Sequence, residues 1–156
     1  MTIGFIGFGA NLSNPKASFL AAIDRLVDQD IHILARSSLW SSPAWPAGSG
    51  QPDYINAVVQ IETDLEAVAL LKLLNRIESE LGRVRTVKNA ARTLDLDILI
   101  FGEERRDTDF LTLPHPRMLD RAFVLLPLCE IAPDWISALA RLSSADVDAM
   151  GYVGRW

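Results

Sequence analysis

Two aspartates, Asp95 and Asp97, stand in a segment that is otherwise apolar: Leu94, Leu96, Ile98, Leu99 and Ile100. In an extended strand, residues two apart share a face. Both carboxylates then project together, while Leu94, Leu96 and Ile98 point to the other side, toward a core. Paired carboxylates repel, and each raises the other's pKa unless a cation lies between them. One or two such oxygen donors, completed by phosphate oxygens and water, suit Mg²⁺. A bare Asp-x-Asp is common, and alone it reads as a solvated strand edge. The flank changes that balance: Arg83, Arg85, Lys88 and Arg92 fall just before the aspartates. By itself this basic run would read as a solvated loop paired with Glu78 or Glu80. Beside two carboxylates it fits a polyphosphate lying across both, with guanidinium forks holding the oxygens that a metal leaves over.

Two further groups bear chemistry. His115 lies between Pro114 and Pro116, with Arg121 and Phe123 a few residues on. The prolines restrict the backbone and fix where the imidazole points, and its N–H suits a phosphate oxygen. A lone histidine is more often structural, and His32 is left in that class. Tyr54 and Asn56 share one face of an alternating segment. A ring beside an amide suits a flat, hydrogen-bonding heterocycle, and it equally describes an ordinary sheet surface.

The elements that must carry these groups follow from periodicity. Residues 1–8 predict a short buried strand. Asn14 predicts an N-cap with Pro15 at the first helical position, followed by a buried face of Phe19, Leu20, Ile23, Leu26 and Val27. Residues 31–40 predict one strand and residues 41–52 a long loop. Residues 54–62 alternate, with Ile55, Ala57, Val59 and Ile61 against Tyr54, Asn56, Val58 and Gln60. Thr63 or Asp64 is the predicted cap of a helix striped by Ala67, Leu70, Leu71, Leu74, Ile77 and Leu81, ending at Gly82. A basic loop over 82–91, a strand over 93–101, a turn at Gly102 opening a short hairpin, and a helix over 123–131 with Pro127 near its first turns complete the pattern. The tail beyond Trp135 is weakly patterned. Strand, helix, strand, strand, helix, strand is the ferredoxin-like βαββαβ order. It predicts an α+β fold with helices against one face of an antiparallel sheet, and extra C-terminal helices and a hairpin. At 156 residues the chain is expected to form a single domain, 1–156.

The net charge of −5 argues against a nucleic-acid partner, for which a basic field supplies most of the affinity. The single cysteine, Cys129, excludes an internal disulfide, and its apolar surroundings predict a buried thiol. Met1 leads into an apolar segment with no basic leader and no small-residue cleavage pattern, which predicts no signal peptide, and no apolar run is long enough to predict a membrane span. A cytoplasmic location is expected.

The same residues form longer strings: Gly-Ala-Asn-Leu at 9–12, Ser37 with Ser38, Ser42 with Pro43, and Gln-Pro-Asp-Tyr-Ile-Asn-Ala at 51–57. Further on come Glu78, Gly-Arg-Val-Arg at 82–85, Lys88, Arg-Thr-Leu-Asp-Leu-Asp at 92–97, Leu-Pro-His-Pro at 113–116, Arg-Ala-Phe at 121–123 and Glu-Ile-Ala-Pro at 130–133. In order and spacing they resemble the 6-hydroxymethyl-7,8-dihydropterin pyrophosphokinases of folate biosynthesis. The resemblance implies transfer of pyrophosphate from Mg-ATP to the pterin's hydroxymethyl group, with release of AMP. It implies Asp95 and Asp97 as ligands of two Mg²⁺ ions, forming the catalytic group with Arg83 and Arg92. It implies an ATP site of Glu78, Arg83, Arg85, Arg92, Ile98, Thr112, His115 and Arg121. Tyr54 and Phe123 would sandwich the pterin, Asn56 would read its edge, and Ser42, Pro43 and Trp45 would touch it largely through main chain. Loops at about 10–15, 44–53 and 82–91 would close over the substrates, and the protein would act as a monomer. The sequence departs from the best-known members at Asn89, where they carry a tryptophan, and at Ala10, Thr86 and Ala91. Two rivals use the same residues: a metal-dependent nuclease or nucleotidyltransferase, and a non-catalytic binding domain.

Overall fold

The computed structural model describes residues 1–12, 14–44, 48–81 and 94–156. Among these, six strands form one sheet. They are β1 (Thr2–Ala10), β2 (His32–Arg36), β3 (Leu39–Ser42), β4 (Tyr54–Thr63), β5 (Asp95–Phe101) and, at the far end of the chain, β8 (Gly151–Gly154). The order is β5-β1-β4-β3-β8, with β2 also pairing β4, and the pairings are antiparallel. With β2 and β3 counted as one interrupted strand, β5-β1-β4-β2/β3 is the order that two interlocked split βαβ units require.

Period-two alternation makes the sheet two-sided. Ile6, Phe8 and Ala10 of β1, Ala57, Val59 and Ile61 of β4, and Leu96 and Ile98 of β5 all face one core. Two helices cover it, α1 (Pro15–Asp28) and α2 (Ala67–Glu80). Asn14 caps α1 as predicted, its side chain accepting from the Ala17 N–H at 3.2 Å, with Pro15 opening the helix. The buried stripe of α1 is Phe19, Ala22 and Leu26. Leu20 and Val27, expected inside, are exposed, because the contact with the sheet is narrower than the apolar run. The cap of α2 also differs from expectation. Neither Thr63 nor Asp64 caps it; Glu66 holds the N-cap position without a side-chain bond, and the Thr63 hydroxyl accepts from Leu65 N–H instead. Leu73 and Glu78 join its buried face, and Leu71 and Leu81 are only half buried. The predicted stop at Gly82 lies outside the described residues. Arg25 of α1 pairs with Glu80 of α2.

The region expected as one strand over 31–40 is two, β2 and β3. Ser37 and Ser38 break it, both buried, and their hydrogen bonds show why the break is stable. The Ser37 hydroxyl donates to Ser38 O at 2.8 Å and accepts from Val58 N–H at 2.9 Å. Ser38 donates from both N and Oγ to Glu130.

The other face of the sheet is also covered, contrary to the one-sided expectation. α3 (Ala122–Ile131) lays Leu125 and Leu128 against Val58 and Leu99, with Met118 completing a second, smaller core. Pro127 sits in the middle of α3 rather than near its start. Gly102, at φ +56°, turns the chain out of β5. The following short strand β6 (Arg106–Asp107) does not return on β5; it pairs with β7 (Thr112–Leu113) as a separate two-stranded sheet. Two short helices, α4 (Ile136–Leu139) and α5 (Ser144–Asp148), lead to β8, which extends the main sheet beside β3. Trp156 then returns to the first core, its indole edge-on to Phe8 and Phe19 at 5.6 and 5.5 Å. Cys129 is half buried rather than enclosed, and burial raises its thiol pKa.

Candidate active site

The register of the three central strands assembles the site. Gly9 of β1 is paired with Asn56 of β4 on one side and with Asp95 of β5 on the other. One step along, Gly7 is paired with Val58 and with Asp97. Strands lie about 4.8 Å apart, so Asn56 and Asp95 stand about 10 Å from each other with Gly9 between them. All these positions fall on the face away from α1 and α2, because Phe8, Ala57 and Leu96, the neighbours in sequence, point into the core beneath.

A cavity of about 310 Å³ opens over this floor. Tyr54, Asn56, Ser42 and Pro43 line one end; Asp95, Asp97 and His115 line the other; Phe123, Val124 and Arg121 come down from the start of α3. Sequence reasoning chose nine of these residues: Ser42, Pro43, Tyr54, Asn56, Asp95, Asp97, His115, Arg121 and Phe123. It missed Gly7, Phe8, Gly9, Ala57, Val58, Leu99 and Val124, which have no polar side chain to mark them and are found only once the strands are in register and α3 is in place.

Asn56 is buried, and its orientation is set by bonds to protein. Nδ2 donates to Ser42 Oγ at 2.9 Å and to Trp40 O at 3.2 Å. Both N–H bonds are thereby spent, and Oδ1 is the atom turned toward Gly9. A ligand reaching Asn56 from the cavity meets an acceptor. Tyr54 is half buried beside it, and Phe123 keeps 36% of its surface exposed across the cavity. The Arg121 guanidinium stands 5.2 Å from the Phe123 ring centroid, a cation–π contact that holds both at the rim.

At the other end, the main-chain N–H of His115 donates to Leu99 O at 2.8 Å, tying the segment after the cis Leu113–Pro114 bond to β5. The Arg117 N–H donates to His115 Nδ1 at 3.2 Å. That bond makes Nδ1 the acceptor, so the neutral ring carries its proton on Nε2. Burial lowers the His115 pKa; Asp97 opposes this, and Arg121 and Arg117 add to it.

Three side chains hold the frame. Glu78 of α2, itself buried, accepts from Leu96 N–H at 2.9 Å and so fixes the β5 edge to the helix. Asn11 donates to Gln51 Oε1 and Pro52 O, both at 3.2 Å, joining the end of β1 to the loop before β4. Glu130, eight residues along α3 from Ala122, accepts from Ser38 N–H, Ser38 Oγ and the Trp40 indole.

Other expected residues lie elsewhere. Thr112 is on β7, and the Ile98 side chain is buried in the first core, 3% exposed; neither lines the cavity. Arg83, Arg85, Arg92 and Trp45 lie outside the described residues, as do Lys88, Thr86, Asn89 and Ala91.

Among the described residues no three His, Cys, Asp or Glu groups are close enough to cage a metal. Asp95 and Asp97 offer two carboxylates on one face. This donor set fits a hard cation such as Mg²⁺ that takes its remaining ligands from water and a phosphorylated substrate.

The model of the 7,8-dihydro-6-hydroxymethylpterin-pyrophosphokinase family matches residues 5–133. A Haemophilus influenzae protein named 2-amino-4-hydroxy-6-hydroxymethyldihydropteridine pyrophosphokinase is 44% identical over 138 residues, covering 87% of this chain and 85% of that one. A Pseudomonas aeruginosa protein of the same name is 42% identical over 132 residues, covering 83% and 80%. Among solved structures, an HPPK-DHPS crystallised with substrates superposes with a TM-score of 0.66 at 13% identity, over 86% of this chain. The overlap is 42% of that longer chain, so this protein spans less than half of it.

Proposed function

The chain belongs to the 7,8-dihydro-6-hydroxymethylpterin-pyrophosphokinase family, and on that footing we propose that it transfers pyrophosphate from ATP to the hydroxymethyl group of 6-hydroxymethyl-7,8-dihydropterin in folate biosynthesis. The observation that carries the reading is the row Asn56–Gly9–Asp95 within one cavity. It sets an acceptor suited to a heterocycle's N–H edge about two strand spacings from a carboxylate pair suited to a metal-bound polyphosphate.

The pterin lies between Tyr54 and Phe123, with Asn56 Oδ1 accepting from its ring edge. Ser42 and Pro43, together with Trp45, close the end of the slot. This orientation points the hydroxymethyl group along the row toward Asp95. Its oxygen attacks the β-phosphorus of ATP; the bond from that phosphorus to the α–β bridging oxygen breaks, AMP leaves, and the hydroxyl proton passes to solvent. Such transfers depend on in-line positioning and charge stabilisation. Asp95 and Asp97 are assigned to hold two Mg²⁺ ions, which when bound draw off negative charge and orient the phosphates. The His115 Nε2–H and Arg121 donate to phosphate oxygens, and Arg83, Arg85 and Arg92 are assigned to the same task. Glu78 contributes through β5: its bond to Leu96 N–H lies on the edge of β5 away from β1, and by alternation the Ile98 main chain opens on that edge, where a nucleotide base would be read. Thr112 is assigned to the nucleotide's periphery.

We further assign residues 1–156 to one catalytic domain acting as a cytoplasmic monomer. Among the described residues no helix is long and apolar enough to cross a membrane. The test is AMP release from Mg-ATP with and without 6-hydroxymethyl-7,8-dihydropterin, with mass detection of the product. Pterin-dependent AMP and a pyrophosphorylated pterin are expected; ADP would mean attack at the γ-phosphorus and a different kinase.

A further inference from the structure

Gly4 and Gly9 lie on the same strand, and the structure asks for them differently. A Cβ at Gly4 would stand 3.0 Å from Ile100 O and 3.1 Å from the Phe101 ring, so the pairing of β1 with β5 needs glycine there. A Cβ at Gly9 would meet a single neighbour, Asn56 Oδ1, at 3.8 Å, which is ordinary contact. Gly9 sits in regular paired strand, outside the left-handed region that favours glycine. The fold therefore accepts alanine at this position. It would even gain from it, since glycine in a strand gives up more chain entropy on folding.

What glycine does provide is space on the cavity side. Phe8 and Ala10 point into the core, so by alternation a side chain at Gly9 would rise from the cavity floor, between Asn56 and Asp95. We propose that Gly9 is a specificity-determining residue, its bare main chain being the surface on which the edge of the bicyclic substrate rests between recognition by Asn56 and reaction at Asp95. The inference rests on the pterin reading above. A ring held between Tyr54 and Phe123 cannot slide sideways past a methyl group at this point. It must lift, which lengthens its bond to Asn56 Oδ1 and turns the hydroxymethyl oxygen away from the carboxylate end.

The variants Gly9→Ala and Gly9→Val test this against the parent protein. Four readouts are taken: thermal midpoint, affinity for 6-hydroxymethylpterin by fluorescence titration, affinity for α,β-methylene-ATP with Mg²⁺, and turnover. For Gly9→Ala the midpoint should be unchanged or higher, and pterin affinity and turnover should each fall by about tenfold or more. Nucleotide affinity should stay within about twofold. Gly9→Val should lose more pterin affinity than Gly9→Ala. Parental pterin affinity and turnover in Gly9→Ala would overturn the inference. So would a drop in thermal midpoint or parallel losses of pterin and nucleotide binding, either of which marks a glycine needed by the fold. A parent protein with neither pterin binding nor turnover would overturn the pterin reading itself, and this inference with it.

Discussion

Asn56 spends its amide nitrogen on the protein and keeps its oxygen for the cavity. Asn56→Ala removes that acceptor and leaves Trp40 O and Ser42 Oγ without their donor. Pterin affinity should fall by at least about tenfold, and stability by about 1–2 kcal/mol in urea unfolding, with nucleotide affinity held. Asp97→Ala should do the converse: pterin still binds in a titration, while turnover falls by about a thousandfold or more, as expected when several kcal/mol of charge stabilisation is lost. Parental kcat in that variant would remove Asp97 from the metal site. His115 supplies a pH dependence whose sign follows from burial. Its folded pKa lies below the unfolded value of about 6.5, so the unfolded chain binds more protons in that window. Stability of the ligand-free protein should therefore decline as pH is lowered through the range just below about 6.5, and His115→Gln should flatten that part of the curve. At this scale the aspartates were legible because period two is a local property. The rotation of the Asn56 amide was not, since Trp40 and Ser42 decide it from a neighbouring strand.

Glu130 makes the clearest case for an element held by a distant partner. It fastens α3, which carries Phe123 and Arg121, to the break between β2 and β3, on the strand that orients Asn56. Glu130→Ala leaves a buried main-chain N–H, a hydroxyl and an indole N–H without their acceptor. A cost of about 1–2 kcal/mol is expected in urea unfolding, because Glu130 is itself exposed and water reaches the freed indole N–H. The break itself explains why residues 31–40 read as one strand. Hydrophobic alternation persists on both sides of Ser37 and Ser38, and the groups that satisfy them, Val58 N–H and Glu130, come from far along the chain. The caps divide in the same way. Asn14 and Pro15 carry a signal of their own, whereas α2 starts at Glu66 without a side-chain bond and the Thr63 hydroxyl is taken up in the turn before it.

Across the whole molecule, the βαββαβ order was readable because each element carries its own period. The helix α3 was readable too, but its placement on the second face of the sheet and the strand β8 were not, because both depend on finishing the sheet first. Trp156 is the strongest example. Its indole donates to Ser37 O at 2.7 Å, stacks edge-on with Phe8 and Phe19, and takes the Arg36 guanidinium 5.1 Å above the ring. Trp156→Ala should cost about 3 kcal/mol, read as a lowered thermal midpoint. The placement also has a meaning for biosynthesis. Residue 156 closes a core begun by residue 8, so a chain emerging from the ribosome can form every strand through β5 and still lack the piece that seals β1, α1 and the Ser37 break. Until β8 clears the exit tunnel, the β3 edge that it will cover stays open to pairing with other chains.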